Sequence, residues 1–139
     1  MRNKKLLKPT ILRIKKIKNN NGTLIPLYFN KFRSFKAKRI FIVKGNKNFI
    51  RGQHAHKKCT QIIVQIDGET EIVIINKKKY KFKLKSTQNK ILRIPPMNWV
   101  NITFKKNKSS FLVLCDVNFS KREYIYSFKK FQKKLNSNV

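Results

Sequence analysis

The sequence predicts an all-β domain, a sandwich or barrel of many short strands, with one short helix at the C-terminal end. Three observations carry this. Short apolar runs rich in Ile, Val and Phe recur at close spacing, with turn residues between them. Some of these runs alternate apolar and charged residues, the period of a half-buried strand. Only the tail carries a helical period, where Phe128, Phe131 and Leu135 recur at i, i+3 and i+7.

Along the chain, Ile11 to Ile17 alternates loosely, and Asn19-Asn20-Asn21-Gly22 is a turn cluster. Thr23 to Phe29, interrupted by Pro26, suits an edge strand. Arg39-Ile40-Phe41-Ile42-Val43 reads as a buried strand closed by Gly45-Asn46. The clearest hairpin is predicted from Gln61 to Asn76, with Asp67-Gly68 as its tight turn, because Asp-Gly tolerates the positive φ that such turns demand. Lys77-Lys78-Lys79 marks another hairpin tip, and Tyr80 to Lys85 then alternates strictly, apolar on one face and Lys on the other. Ile91 to Ile94, Trp99 to Phe104 and Phe111 to Cys115 are further strands, the first two separated by Pro95-Pro96. The helix is expected to pack against the outside of the sheets.

The chain has 139 residues and 40% hydrophobic content, enough for one core, so residues 1–139 are read as a single domain. No run approaches the length of a membrane span, and the basic start is followed by no apolar segment of a signal peptide. The expected location is the cytoplasm, with Cys59 and Cys115 reduced. The formal charge of +30 points first to nucleic acid or an anionic membrane. However, the cations are Lys far more than Arg, whereas Arg is the residue suited to bidentate recognition. Lys, Ile and Asn are all abundant, the pattern an AT-rich genome produces. The preferred reading is therefore no nucleic acid and no membrane, with attraction of an anionic small molecule as the surviving consequence.

Acid–base groups are few: two His and five acidic residues. Both His stand in His54-Ala55-His56, and residues i and i+2 of a strand share a face. Cys59 follows closely, but on a strand it would face away from them, so a Cys–His pair is discounted. The spacing His-x-His, Gln61 five residues after His56 and Gly68 seven beyond resembles the first motif of the cupins. That resemblance implies a cupin jelly-roll or β-sandwich. Metal-binding cupins carry a Glu where Gln61 stands and a later His where Val100 stands. Two imidazoles alone hold a divalent ion weakly, so no catalytic metal is expected. Free imidazoles in a pocket suit general acid–base work.

The longer run Arg51-Gly52-Gln53-His54-Ala55-His56-Lys57-Lys58, with Gln61 behind it, resembles the signature of the small cupins called nucleotide-sugar 3,4-ketoisomerases (WxcM-like). Asn21-Gly22-Thr23-Leu24, Lys38-Arg39-Ile40-Phe41, Ile94-Pro95-Pro96-Met97-Asn98-Trp99 and Glu123-Tyr124-Ile125 with Phe131 resemble other segments of that family in the same order. The resemblance implies conversion of a dTDP-4-keto-6-deoxyhexose into its 3-keto isomer through an enediol, ahead of a transaminase that makes a 3-amino-3,6-dideoxy sugar. No cofactor is implied. A cytoplasmic homodimer serving bacterial surface-glycan (lipopolysaccharide-type) biosynthesis is implied as well.

His54 and His56 are the expected catalytic pair. Two divisions of labour are open: His54 as the carbon base with His56 relaying or donating protons, which is preferred, or the reverse. Arg39, Arg51 and Lys57 are candidates for the diphosphate or sugar oxygens, Arg39 being alternatively a solvated strand residue. Gln61 either orients His56, bonds the sugar, or is an ordinary inward amide. Trp99 either lines the pocket, stacks on the base, or is core. Asn21 and Val100 occupy two positions near the sugar in the family. Ile42 stands where many members carry a Tyr, and Tyr126 where the tail carries an Arg. A nucleotide-sugar-binding cupin without turnover, a basic nucleic-acid-binding β-barrel and a cupin-type epimerase are the competing readings. Steep loss of affinity with salt would mark the nucleic-acid binder.

Overall fold

The structure, a computed structural model, describes residues 8–32 and 34–137. Its strands are β1 (Thr10–Arg13), β2 (Ile17–Asn19), β3 (Gly22–Leu24), β4 (Arg39–Gly45), β5 (Ile50–His56) and β6 (Gln61–Asp67). They continue with β7 (Glu69–Ile75), β8 (Lys79–Lys85), β9 (Lys90–Ile94), β10 (Trp99–Phe104), β11 (Ser109–Cys115) and β12 (Tyr124–Ile125). A single α-helix, α1 (Phe128–Ser137), ends the described chain. Two five-stranded sheets run in the orders β1-β9-β6-β11-β4 and β12-β5-β10-β7-β8, and β2-β3 form a separate ribbon. Every pairing is antiparallel. The expected all-β architecture with one C-terminal helix is the observed one.

The two sheets face each other across a core that includes Ile63, Ile72, Leu84, Phe104 and Phe111. A second cluster lies on the opposite face of the first sheet. There Phe32 and Phe35, from the segment before β4, cover Ile62, Val64, Ile91 and Leu114. β6 is thus apolar on both faces and buried on both, which is why it reads as a continuous run rather than an alternation. The helix covers part of the second sheet: Phe131 and Leu135 pack with Ala55, Trp99 and Ile125. Ser127 starts it, its hydroxyl accepting from the Lys130 N–H at 3.2 Å.

Several expectations are corrected. β6 and β7 do not form a hairpin; they lie in different sheets. Asp67-Gly68 does turn the chain tightly, with Gly68 at φ 69°, but the turn carries it from one sheet to the other. A local turn signal is blind to this choice. Each strand instead gains two neighbours, β9 and β11 for β6, and β8 and β10 for β7. Arg39 to Val43 is not buried on both faces. β4 is an edge strand, so Phe41 and Val43 pack inward while Ile40 and Ile42 are each 59% exposed. The loose alternation before Asn19 splits into β1 and β2, and of the next expected strand, Thr23 to Phe29, only Thr23 and Leu24 lie in β3. Phe29–Lys31 forms a 3₁₀ turn instead.

Packing leaves no space where β4 passes the buried ring of Phe104. A methyl group on Gly45 would lie 2.2 Å from that ring, and Phe104 is itself stacked on Phe111. Gly45→Ala is therefore expected to lower stability by about 2 kcal/mol through overpacking. The measurement is a urea denaturation curve, whose midpoint should fall with unchanged slope. An unmoved midpoint would show that the ring has room to shift.

Candidate active site

Between the sheets lies a cavity of about 460 Å³, walled by β4, β5, β6, β10, β11 and the first residue of β12. Its polar lining comprises Arg39, Arg51, Gln53, His54, Gln61 and Tyr124. The rest is mostly aliphatic and aromatic, including Ile42 and Val100. A concave site in which polar side chains converge within an aliphatic and aromatic frame is a common form of small-molecule site.

His54 reaches this cavity because β5 is bulged. Val100 pairs with His54 and Asn101 with Gly52, so Gln53 is an extra residue in the ladder. Gly52 at φ 84° and Gln53 at φ 57° take up the left-handed conformations the bulge requires. Glycine is demanded at 52 for a second reason: a methyl group there would meet the Val100 carbonyl oxygen at 2.7 Å. The same bulge leaves the Gly52 carbonyl 2.9 Å from His54 Nδ1. A carbonyl only accepts, so the neutral ring carries its proton on Nδ1 and keeps the lone pair on Nε2. Burial lowers the His54 pKa, partly offset by that backbone bond.

His56 sits differently. Its ring lies 5.1 Å from that of His54, edge-on, and 4.5 Å from the ring of Tyr124. The side chain is buried, lies outside the cavity lining, and has no hydrogen-bond partner on either nitrogen among the described residues. Burial, then the neighbouring His54 and Arg39 charges, lower its pKa to about 4.

Of the other candidates, Arg39, Arg51, Gln61 and Val100 line the cavity. Gln61 donates from Nε2 to Cys115 Sγ at 3.6 Å. Trp99 is buried away from it, against Phe128 and Phe131 of the helix. Lys57 is exposed, its backbone N–H donating to the Glu123 carbonyl. Asn21 stands at the exposed tip of the β2–β3 ribbon, where its N–H donates to Asn19 Oδ1 at 2.8 Å. Cys59 lies in the turn after β5 rather than on a strand, buried in the core cluster that also holds Cys115. No three His, Cys, Asp or Glu side chains come together as a metal-ligand set among the described residues.

Three features escape a reading of the sequence. The bulge is one, and Gly52 ahead of the histidines was its signal. Tyr124 is the second: its ring packs 5.1 Å from His54, and its hydroxyl accepts from Arg39 Nη1 at 3.1 Å. Glu123 is the third, a buried carboxylate accepting from the Lys58 and Cys59 N–H groups at 2.5 and 2.7 Å. Both lie in a tail whose sequence matched the family only weakly.

The buried His56 makes stability depend on pH. At pH 7 it is neutral in folded and unfolded chains alike. Below its ordinary pKa of 6.5 the unfolded imidazole takes up a proton that the folded one refuses until about pH 4. The unfolded state then binds more protons, so stability falls as pH drops through this window. The expected loss from this group is about 3 kcal/mol. Urea midpoints measured from pH 7 to pH 4 should fall more steeply for the wild type than for His56→Phe. Equal slopes would mean that His56 is not held neutral.

The comparisons with known proteins bear on this site. The sequence profile described as FdtA: WxcM-like, C-terminal matches residues 7–136. The chain is 26% identical over 126 residues to a TDP-4-oxo-6-deoxy-alpha-D-glucose-3,4-oxoisomerase from Aneurinibacillus thermoaerophilus, covering 88% of this chain and 89% of that protein. It superposes on WlaRA, a TDP-fucose-3,4-ketoisomerase from Campylobacter jejuni, with a TM-score of 0.83 at 31% identity, covering 94% and 98% of the two chains. The fold is also that of QdtA, a sugar 3,4-ketoisomerase from Thermoanaerobacterium thermosaccharolyticum solved with TDP, at TM-score 0.86 and 21% identity over 94% and 96% of the chains. A profile match over nearly the whole chain, together with a bulged His-x-His strand opening on a cavity, establishes that this protein belongs to the FdtA (WxcM-like, C-terminal) family.

Proposed function

We propose that this protein is a sugar-nucleotide 3,4-ketoisomerase that converts dTDP-4-keto-6-deoxyglucose into a dTDP-3-keto-6-deoxyhexose. The observation that carries the reading is His54, on the cavity wall with its Nδ1 proton pinned by the Gly52 carbonyl and Nε2 left basic. The C3 proton of such a substrate is acidified by the adjacent C4 carbonyl, and a basic imidazole is the group to remove it. His54 takes that proton, exchanges it with solvent and delivers a proton to C4. His56, buried and neutral behind it, acts as a positioning residue that keeps a second positive charge away from the base. The two relatives of highest identity described above act on TDP-sugars, which supports the substrate class.

Arg39 and Arg51 make the cavity electropositive and suit the oxygens of the sugar diphosphate. Lys57, Asn21 and Trp99 lie outside its wall, so any role for them in binding depends on substrate reaching beyond the cavity or on a second subunit. A homodimer is supported by edge strand β4, which exposes Ile40 and Ile42 side by side on its outer face. Among the described residues no helix is long and apolar enough to cross a membrane. A cytoplasmic enzyme is the reading in keeping with a nucleotide-linked substrate.

The test is NMR of the sugar carbons during incubation with dTDP-4-keto-6-deoxyglucose in D₂O. The wild type should yield the 3-keto isomer with deuterium at C4, and the C4 configuration is then read directly. His54→Asn should slow conversion by about a thousandfold. Because burial lowers the His54 pKa below 6.5, kcat/KM of the wild type should fall only on acidification beyond that value, as the base becomes protonated. Folded wild-type protein that binds the nucleotide sugar without converting it would sink the proposal.

A further inference from the structure

Folding gathers part of the positive charge on one side of the molecule. In β8, Tyr80, Phe82 and Leu84 pack into the core between the sheets. Alternation therefore puts Lys79, Lys81, Lys83 and Lys85 on the outer face of the second sheet, all of them exposed. The helix lies across the other margin of that face, held by Phe131 and Leu135 against Trp99 and Ala55. Its free side carries Lys129, Lys130, Lys133 and Lys134, again all exposed. Lysines thus flank both margins of a face five strands wide, about 20 Å across.

Little on this face offsets them. Glu69 and Glu71 stand opposite Lys85 and Lys83 in the β7–β8 ladder, and Glu71 forms an ion pair with Lys81. Asp67, Asp116 and Glu123 are hydrogen-bonded elsewhere. Among the described residues no ion pair reaches the helix. Lysines on an edge strand such as β8 also serve to block pairing with another sheet, but the helix has no such edge to protect. Its charges work against it. Lys129 and Lys133 stand four residues apart, as do Lys130 and Lys134, and like charges at that spacing repel. Lys129 and Lys130 lie in a first turn that holds no acid, at the positive end of the helix dipole. Folding gains nothing from this arrangement, whereas an anionic partner would be bound by it.

We propose that this face is a docking surface for an anionic lipid bilayer. The cations of β8 and α1 are all Lys, point charges suited to mobile lipid headgroups rather than forks for fixed base edges. No exposed aromatic side chain rises from β7, β8 or β10, and Phe128 at the start of the helix lies against Trp99. The face therefore lacks the stacking platform that single-stranded nucleic acid uses. The apolar stripe of the helix is already buried on the sheet. Nothing is left to insert, so attachment is electrostatic and reversible. None of these lysines lines the cavity, so docking does not occupy it. This departs from the expectation of no membrane drawn from composition, because composition cannot show where folding gathers charge.

The test is cosedimentation of the full chain with phosphatidylcholine vesicles holding about 30% phosphatidylglycerol, at about 0.1 M salt. Wild-type protein should partition onto these vesicles, ignore vesicles of phosphatidylcholine alone, and come off as salt rises. Lys129→Gln, Lys130→Gln, Lys133→Gln and Lys134→Gln combined should weaken partitioning by about tenfold or more. Lys79→Gln, Lys81→Gln, Lys83→Gln and Lys85→Gln combined should do the same. A control set removes equal charge from β4 and the segments ahead of it: Lys15→Gln, Lys18→Gln, Lys36→Gln and Lys44→Gln. It should cost less than about threefold. Equal losses from all three sets would mean that only net charge acts, and would overturn the docking surface. Absence of wild-type binding would overturn it too. So would a poly(U) RNA whose binding is weakened by the helix and β8 sets while vesicle binding is not. Gln keeps the helix propensity of Lys, and thermal melts check that each variant folds. Should one of the two sets fail to fold, the other still decides against the control.

Discussion

One buried carboxylate ties the end of the chain to the site. Glu123 accepts hydrogen bonds from the Lys58 and Cys59 amides, and its own carbonyl accepts from Lys57. Bonds of this charge-assisted kind contribute about 1.5–3 kcal/mol each, and losing the acceptor would also orphan two amides. The strand that follows is only two residues long and makes a meagre ladder with β5. Glu123 therefore decides where Tyr124 lies relative to the imidazoles. It also sets the start of the segment whose Phe131 and Leu135 close the outer face of the second sheet.

Three of the other four acidic residues are placed with similar economy. Asp116 accepts from the Thr60 amide at 2.8 Å and Asp67 from the Ser110 hydroxyl at 3.1 Å. Glu71 meets Lys81 in an ion pair on the outer surface. None of the five acidic residues lines the cavity, although its wall carries Arg39 and Arg51. With no carboxylate alongside to favour their protonated forms, burial dominates and both imidazoles are held below their ordinary pKa. The same imbalance that makes the whole chain basic thus sets the interior up for an anionic ligand and a neutral, proton-accepting histidine.

The strands were legible in the sequence where one face meets water and the other the core, as in Tyr80 to Lys85. They were legible again where Pro95-Pro96 and the Lys77-Lys78-Lys79 tip interrupt the runs. The reading failed at Asp67-Gly68. Turn chemistry reports the backbone angles of a few residues and is silent about which sheet the next strand joins. It failed also at Arg39 to Val43, where a run of apolar residues belongs to an edge strand whose outward side chains, Ile40 and Ile42, have no covering layer among the described residues. The helix was found from three residues, since a stripe at helical spacing needs nothing else to reveal it.

For the site, the sequence by itself determined the chemistry available: two imidazoles on one strand, an excess of cations, few acids, and a motif order shared with one family. Proximity along the chain made that much readable. Only the tertiary structure decided how the imidazoles divide, because His54 and His56 differ by burial and not by type. The bulge at Gly52 and Gln53 turns one toward the cavity and fixes its tautomer, while Tyr124 and the strand behind it enclose the other. The Arg39–Tyr124 hydrogen bond joins residues from opposite sheets and distant parts of the chain. No local pattern encodes such a contact; it exists because the two sheets close on each other and the tail is clasped back against β5.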